Sequence, residues 1–365
     1  MKVLWVSPNL NHYKASFLEK LAINTNIELT VLSGSGRQKK GDNYFFSEKS
    51  FQLKPVEVSK SKFGFSKKVR VELKKVFFKY DWIMIPREKK NFVLFLYAML
   101  LKKKASRKGN VTRLISYNHP MVTSINGNVS IIDKLVTKFY YHFYDRIIFY
   151  TEKSCLDMVT LGYIKKEKAF WANNTINSDE IENNYTFSYP NKSQPTILFI
   201  GRLIANKKLT ILIDYYKQLK VKNKNLKLVV IGDGPERNII EEAMSEDNSI
   251  QWTGALIEEK DIAPHMVNAN MVFIPGHSGL SVNHAFLYGR PYFTIASKTH
   301  APEIEYLIDG VNGYMLGTDT SKNISLMSNF LQSIDKRSYD NAYQTGKELS
   351  VTSWCKKIEE AIYTK

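Results

Sequence analysis

Short apolar runs alternate with helical stretches along this chain, and that alternation restricts it to one class of fold. Lys2–Ser7, Ile27–Leu32, Trp82–Ile85, Leu114–Tyr117 and Arg146–Tyr150 each read as a buried strand. Helical stretches lie between them. Ala15–Ala22 carries Phe17, Leu18 and Leu21 on one face, Phe92–Leu101 follows the third strand, and Ile131–Tyr144 precedes the fifth. Strands separated by helices pair in parallel, because only a crossover returns the chain to the sheet in the same direction.

Residues 184–195 interrupt the pattern. They are polar, contain Pro190 and Pro195 and have no periodicity, so they read as a linker. The alternation then restarts. Thr196–Ile200, Lys227–Ile231, Ile250–Trp252, Met271–Ile274 and Tyr292–Ile295 read as strands, with helices over Thr210–Leu219, Asn238–Met244 and Val282–Tyr288. At 365 residues the chain has room for about two domains. The expected fold class is α/β, with two doubly wound, Rossmann-like domains facing a cleft: residues 1–183 first and 196–345 second. Within residues 346–365, the periodic stretch Val351–Ile362 is a helix long enough to pack back on the first domain.

Charge is distributed unevenly. The chain is +17, and residues 54–108 alone hold 17 Lys and Arg against 4 Asp and Glu. That stretch calls for an anionic partner: a nucleic acid, an acidic membrane surface or a phosphate-bearing substrate. Phe63, Phe65, Phe77, Phe78 and Trp82 are interleaved with its lysines, which also fits a nucleic-acid footprint, but no helix-turn-helix, zinc or RNA-binding signature accompanies them. The longest apolar run, Phe92–Leu101, has 10 residues, whereas a membrane span needs roughly 20. It reads as a core helix or an interfacial one. Cys155 and Cys355 form no metal-type spacing and suit a reducing compartment. The expectation is a cytoplasmic protein, peripheral at the inner face of the cell membrane.

Three loops of the second half carry polar chemistry. Gly201-Arg202-Leu203-Ile204-Ala205-Asn206-Lys207 follows a strand, so Arg202 and Lys207 emerge where open α/β sheets bind ligands. A guanidinium and an ammonium together suit a pyrophosphate; a solvated basic loop is the plain alternative. Gly232-Asp233-Gly234-Pro235 follows the next strand, with glycines that let backbone approach a ligand or simply make a tight turn. Neither it nor Gly34-Ser35-Gly36 is a dinucleotide fingerprint. Pro275-Gly276-His277-Ser278-Gly279-Leu280-Ser281 opens a helix. There the N–H groups of Gly279, Leu280 and Ser281 would face an anion, and His284 lies one turn in.

In this order and spacing, the loops resemble the family 4 glycosyltransferases, two-domain enzymes of the GT-B type. The resemblance is strongest over residues 196–318, where Gly289-Arg290-Pro291, Pro302-Glu303-Ile304 and Asp309-Gly310-Val311-Asn312-Gly313 extend the match. It implies a donor site formed by Arg202, Lys207, Gly232, Gly234, Gly279, Leu280, Ser281, Asn283, His284 and Glu303. Arg202 and Lys207 would bind the diphosphate. The family usually has two glutamates eight positions apart, the first near the donor sugar and the second on the ribose; here those positions are Gly276 and His284. Asn283 and His284 still offer hydrogen bonds to hydroxyls. The first half matches loosely, at Pro8 to Phe17, Asp145 to Glu152 and Asn174-Thr175-Ile176.

His119, after the Leu114–Tyr117 strand, is the candidate catalytic residue, since an imidazole exchanges protons near neutral pH. The alternative is a turn histidine beside Pro120. His12, Lys14 and His142 are weaker acceptor-side candidates. There is no Asp-x-Asp pair and no His/Cys cluster, so no metal and no further cofactor is expected. The expected activity is retaining, metal-independent sugar transfer from a nucleotide-diphosphate-sugar, which the second domain binds. The acceptor would be a lipid-linked saccharide, held by the first domain, on the way to a surface polysaccharide. Residues 54–108 would meet an anionic membrane surface, and no nucleic acid is expected. A nucleotide-sugar epimerase-like enzyme and a non-catalytic GT-B relative are the alternatives.

Overall fold

The computed structural model describes residues 1–7, 10, 12–33, 50–56, 67–120, 129–191, 194–333 and 335–364. Pro8, Gly34-Ser35-Gly36, Phe63 and Phe65 lie outside that set, as does the side chain of His12. The chain divides into two compact units: Met1–Asn174 with Val351–Lys365, and Thr175–Ser350.

The first unit is built on a parallel sheet of seven strands: β1 (Lys2–Ser7), β2 (Glu28–Ser33), β3 (Gln52–Pro55), β4 (Trp82–Met84), β5 (Arg113–Asn118), β6 (Arg146–Phe149) and β7 (Ala169–Trp171). Their order is β3-β2-β1-β4-β5-β6-β7. β1 and β2 run in register from Lys2 opposite Glu28 to Ser7 opposite Ser33. Both faces are covered, which is why Val3, Leu4, Ile83, Leu114, Ile147 and Ile148 are wholly buried and the strands read as continuous apolar runs. The chain steps outward through β2 and β3, then returns to the other side of β1 as β4. The order therefore reverses between β1 and β4, the place where open α/β sheets bind ligands.

The second unit repeats the plan with β8 (Thr196–Ile200), β9 (Lys227–Ile231), β10 (Ile250–Trp252), β11 (Met271–Phe273), β12 (Tyr292–Ile295) and β13 (Gly313–Leu316). Its parallel order is β10-β9-β8-β11-β12-β13, so the reversal falls between β8 and β11. Arg202 and Lys207 follow β8; Gly276 to Ser281 follow β11.

The boundary between units differs from the expected linker. It falls after Asn174, and the described part of 184–195 belongs to the second unit. Phe187 stacks on Tyr343 with ring centres 4.4 Å apart. Tyr185 donates to the carbonyl of Tyr288 at 3.1 Å, and Arg290 donates to that of Ser188 at 2.7 Å. Polarity and prolines suggested a linker, but the aromatic side chains hold the segment down.

The helix Val351–Tyr363 is part of the first unit. Val351, Trp354, Cys355, Ile358, Ala361 and Ile362 form its buried stripe at helical spacing. Trp354 packs on Phe17 with ring centres 4.7 Å apart, and Arg146 donates to the carbonyls of Ala361 and Thr364 at the helix end. The helix Phe92–Ser106 buries Leu94, Phe95, Ala98, Leu101 and Ala105, while Leu100 is 60% exposed. It is a core helix with an outward edge. Among the described residues, no helix is long and apolar enough to cross a membrane.

Candidate functional site

In the second unit, the loops after β8 and β9 are fastened to each other. Gly201 N–H donates to Ile231 O at 2.9 Å, Leu203 N–H to Asp233 O at 3.0 Å, and Glu236 N–H to Leu203 O at 3.0 Å. A Cβ on Gly232, where φ is +141°, would lie 1.9 Å from the Gly201 carbonyl oxygen; one on Gly234 would lie 2.3 Å from that of Leu203. The absence of a Cβ at these two glycines lets the two loops approach each other.

That packing fixes the base of the loop carrying Arg202 and Lys207. Arg202 is exposed. Lys207 is half-buried and donates from Nζ to the His277 carbonyl at 2.6 Å. Burial, reinforced by the nearby Arg202 guanidinium, lowers the Lys207 ammonium to about 8. One of its three donors is used, and the remaining two and the charge are available to an anion. His277 N–H donates to Asn206 O at 2.8 Å, which ties the β11 loop to the β8 loop across the reversal point.

Gly276 lies inside this contact. Its Cβ would fall 2.1 Å from Asn206 O and 2.6 Å from the carbonyl carbon of Lys207. No side chain fits there, which is a structural reason for the absence of a glutamate.

The helix that follows, Ser281–Leu287, has Leu280 as its N-cap. Ser281 Oγ lies 3.0 Å from the Tyr292 hydroxyl, and Ser278 N–H donates to His300 Nδ1 at 3.0 Å. Burial pushes His277 and His300 below the ordinary imidazole value. A Cβ on Gly279 would meet only Ala301 Cβ, at 3.7 Å, so the first turn is open on that side. Asn283 is fully buried and Glu303 is 3% exposed.

His284 has a partner that sequence reasoning missed. Its Nε2 is 3.0 Å from Oε2 of Glu259, and the same oxygen accepts from the Tyr288 hydroxyl at 2.8 Å. Burial pushes the Glu259 carboxyl up, but the imidazole and the hydroxyl outweigh it and hold the group below the usual carboxylate range. An acceptor-only carboxylate requires a proton on His284 Nε2. A carboxylate thus stands beside position 284, supplied by a residue 25 positions earlier.

In the first unit, the candidates after β1 and β5 lie at the carboxyl edge of the sheet. His119 is exposed, its N–H donates to Asn118 Oδ1 at 2.8 Å, and its ring meets Tyr150 edge-on with centres 4.8 Å apart. Asn118 Nδ2 donates to Arg87 O at 3.2 Å, and Arg87 donates from Nη2 to the His119 carbonyl. His12 and Lys14 begin the helix after β1, with Lys14 half-buried. His142 is elsewhere. It ends the helix Ile131–Phe143, which leads into the amino end of β6, so it belongs to the opposite edge. Among the described residues, no group of three or more His, Cys, Asp or Glu could hold a metal ion.

Residues 194–332 match the family described as glycosyl transferases group 1. A 2-deoxystreptamine N-acetyl-D-glucosaminyltransferase of Niallia circulans is 31% identical over 102 residues, which is 26% of this chain and only 26% of that enzyme's length. Among solved structures, Anabaena Alr3699/HepE in complex with UDP superposes with a TM-score of 0.72 at 15% identity, covering 99% of each chain. The lipopolysaccharide outer core galactosyltransferase WaaB, in its apo form, gives 0.70 at 15% identity, covering 100% of this chain and 99% of its own. At those identities the likeness establishes the fold: two Rossmann-like domains of the GT-B kind.

Proposed function

We propose that this chain, a GT-B protein with a group 1 glycosyl transferase domain in its second half, moves a sugar from a nucleotide-diphosphate-sugar to an acceptor hydroxyl. The observation that carries the proposal is the cation pair Arg202 and Lys207 on a loop braced at the reversal point of the second sheet. Relatives named as glycosyltransferases, and a structural neighbour holding UDP, support a nucleotide-sugar donor. Incubation with radiolabelled UDP- and GDP-sugars tests the activity directly. R202A and K207A should each weaken nucleoside diphosphate binding by about 1.5–3 kcal/mol, the worth of one charge-assisted contact. Calorimetric affinities unchanged in both variants would remove the donor site from this loop.

The two cations and the N–H groups at the start of the Ser281 helix would neutralise the departing diphosphate without a metal, and transfer would retain the anomeric configuration. Lys207 makes this dependent on pH. Below about 8 it is cationic and binds the diphosphate; above, the free protein must regain a proton to bind. Affinity for a nucleotide-sugar, whose phosphates do not titrate near there, should therefore be flat up to about pH 8 and fall above it. Arginine at 207 should abolish the fall while retaining charge, and a fall that persists in K207R would exclude Lys207 as its source.

The acceptor would be a lipid-linked saccharide at an anionic cytoplasmic leaflet, bound for a surface polysaccharide. Support comes from the basic stretch 54–108, whose helix Lys67–Val76 carries four lysines, with Val71 40% and Phe78 37% exposed nearby. Lysines close to such a surface contribute about 1 kcal/mol each, so K67E/K68E/K74E/K75E should release the protein from anionic vesicles and leave donor binding intact. Equal sedimentation of wild type and variant, with neutral and anionic vesicles alike, would remove the membrane from the proposal.

A further inference from the structure

We infer that Arg87 is an anion-binding residue of the first unit and that the acceptor serving this protein carries a phosphate there; the second half of the inference rests on the glycosyl-transfer reading. Arg87 follows β4, which borders the reversal point of the first sheet, and it stands beside His119. The residue is only 2% exposed. Its Nη2 is engaged by the His119 carbonyl, and the guanidinium lies 4.5 Å from the centre of the Tyr141 ring. Its Nε and Nη1 have no acceptor among the described residues.

A buried guanidinium is costly unless its charge and donors are met. One carbonyl and one ring face meet only part of that need. Lys89, two residues on, is treated differently: it pairs with the buried carboxylate of Asp133. The hydroxyls around Arg87 are already committed elsewhere. Tyr140 donates to Glu88 O and Tyr144 to Ile85 O, both at 2.9 Å, and Tyr141 donates to Pro120 O. Those bonds brace the loops after β4 and β5 around a cation that they leave unneutralised. Had Arg87 served only to pin the His119 carbonyl, one donor and no charge would have been enough. A charged fork with spare donors at a sheet's carboxyl edge suits the oxygens of a phosphate.

The test uses the full chain as R202A/K207A, which silences the donor loop, titrated with inorganic pyrophosphate by calorimetry. Saturable binding is expected, weakened about tenfold or more by adding R87M, with R87K intermediate. Without ligand, R87M should melt no lower than its parent, because an unpaired buried charge has been replaced by an apolar chain. Sedimentation with phosphatidylglycerol vesicles should be unaffected by R87M, separating a phosphate bound in the site from attraction to lipid headgroups. No saturable binding in the R202A/K207A background, binding undiminished by R87M, or lost binding accompanied by a lowered melting point would each overturn the assignment. Nucleoside diphosphate binding by the wild type reports separately on the donor site. If that binding is present and pyrophosphate binding absent, the anion site falls and glycosyl transfer stands; the opposite pair leaves the anion site and removes glycosyl transfer.

Discussion

Replacing His119 with alanine should lower turnover by about 10²–10⁴, the usual loss when positioned proton transfer is removed, while the donor's KM changes little. The loop itself should survive the substitution. Its backbone is held by Asn118 Oδ1 at the His119 N–H and by Arg87 at the carbonyl, neither of which involves the imidazole. What alanine removes is the exposed ring, together with its contact to Tyr150. A structural histidine would show the opposite pattern, with lowered stability and turnover preserved. Steady-state kinetics on the true acceptor, alongside thermal melting, decides between them; wild-type turnover in H119A would return this residue to the role of a turn histidine.

Restoring a glutamate at position 276 should damage the donor site. The position matches the first of the family's paired glutamates, so likeness alone would recommend Gly276→Glu as a gain. The geometry predicts a loss. A Cβ there overlaps the backbone of Asn206 and Lys207 at 2.1–2.7 Å, and backbone cannot swing aside as a side-chain tip can. The displaced segment carries Lys207 and adjoins Arg202, so both contacts should suffer together. The expected fall in nucleoside diphosphate affinity is about 3–6 kcal/mol, the sum of two charge-assisted contacts. Calorimetry on a variant verified as folded reads this directly. Affinity at or above wild type would show that the loop accommodates a side chain and that glycine is not required there.

His284 illustrates why a residue-by-residue comparison of motifs misleads in this chain. On sequence the second carboxylate is missing. In the fold the Glu259 carboxylate, from another helix, lies 3.0 Å from the His284 imidazole, and Tyr288 binds the same oxygen. Nothing in the sequence signals that pairing: Glu259 is one of the acidic residues in the first turn of the helix Glu259–Asn268, where the helix dipole alone favours a carboxylate.

Local pattern was enough for the strands and their parallel pairing, because burial on both faces writes a run of apolar residues into each strand. It was also enough to place Arg202, Lys207 and His119 at carboxyl edges, since a residue just after a parallel strand can emerge nowhere else. Contacts between distant residues decided the rest. Asn283 and Glu303 are buried, Gly232 and Gly276 sit where two loops pack, and Arg87 Nε and Nη1 have no acceptor among the described residues. The polar segment after Asn184 is held by its aromatics, and the last helix completes the first unit's core through Trp354. Periodicity and turn chemistry report on neighbours within a few residues. Which backbone a glycine meets, or which charge goes unpaired, depends on side chains tens to hundreds of positions away, and only the packed structure brings these together.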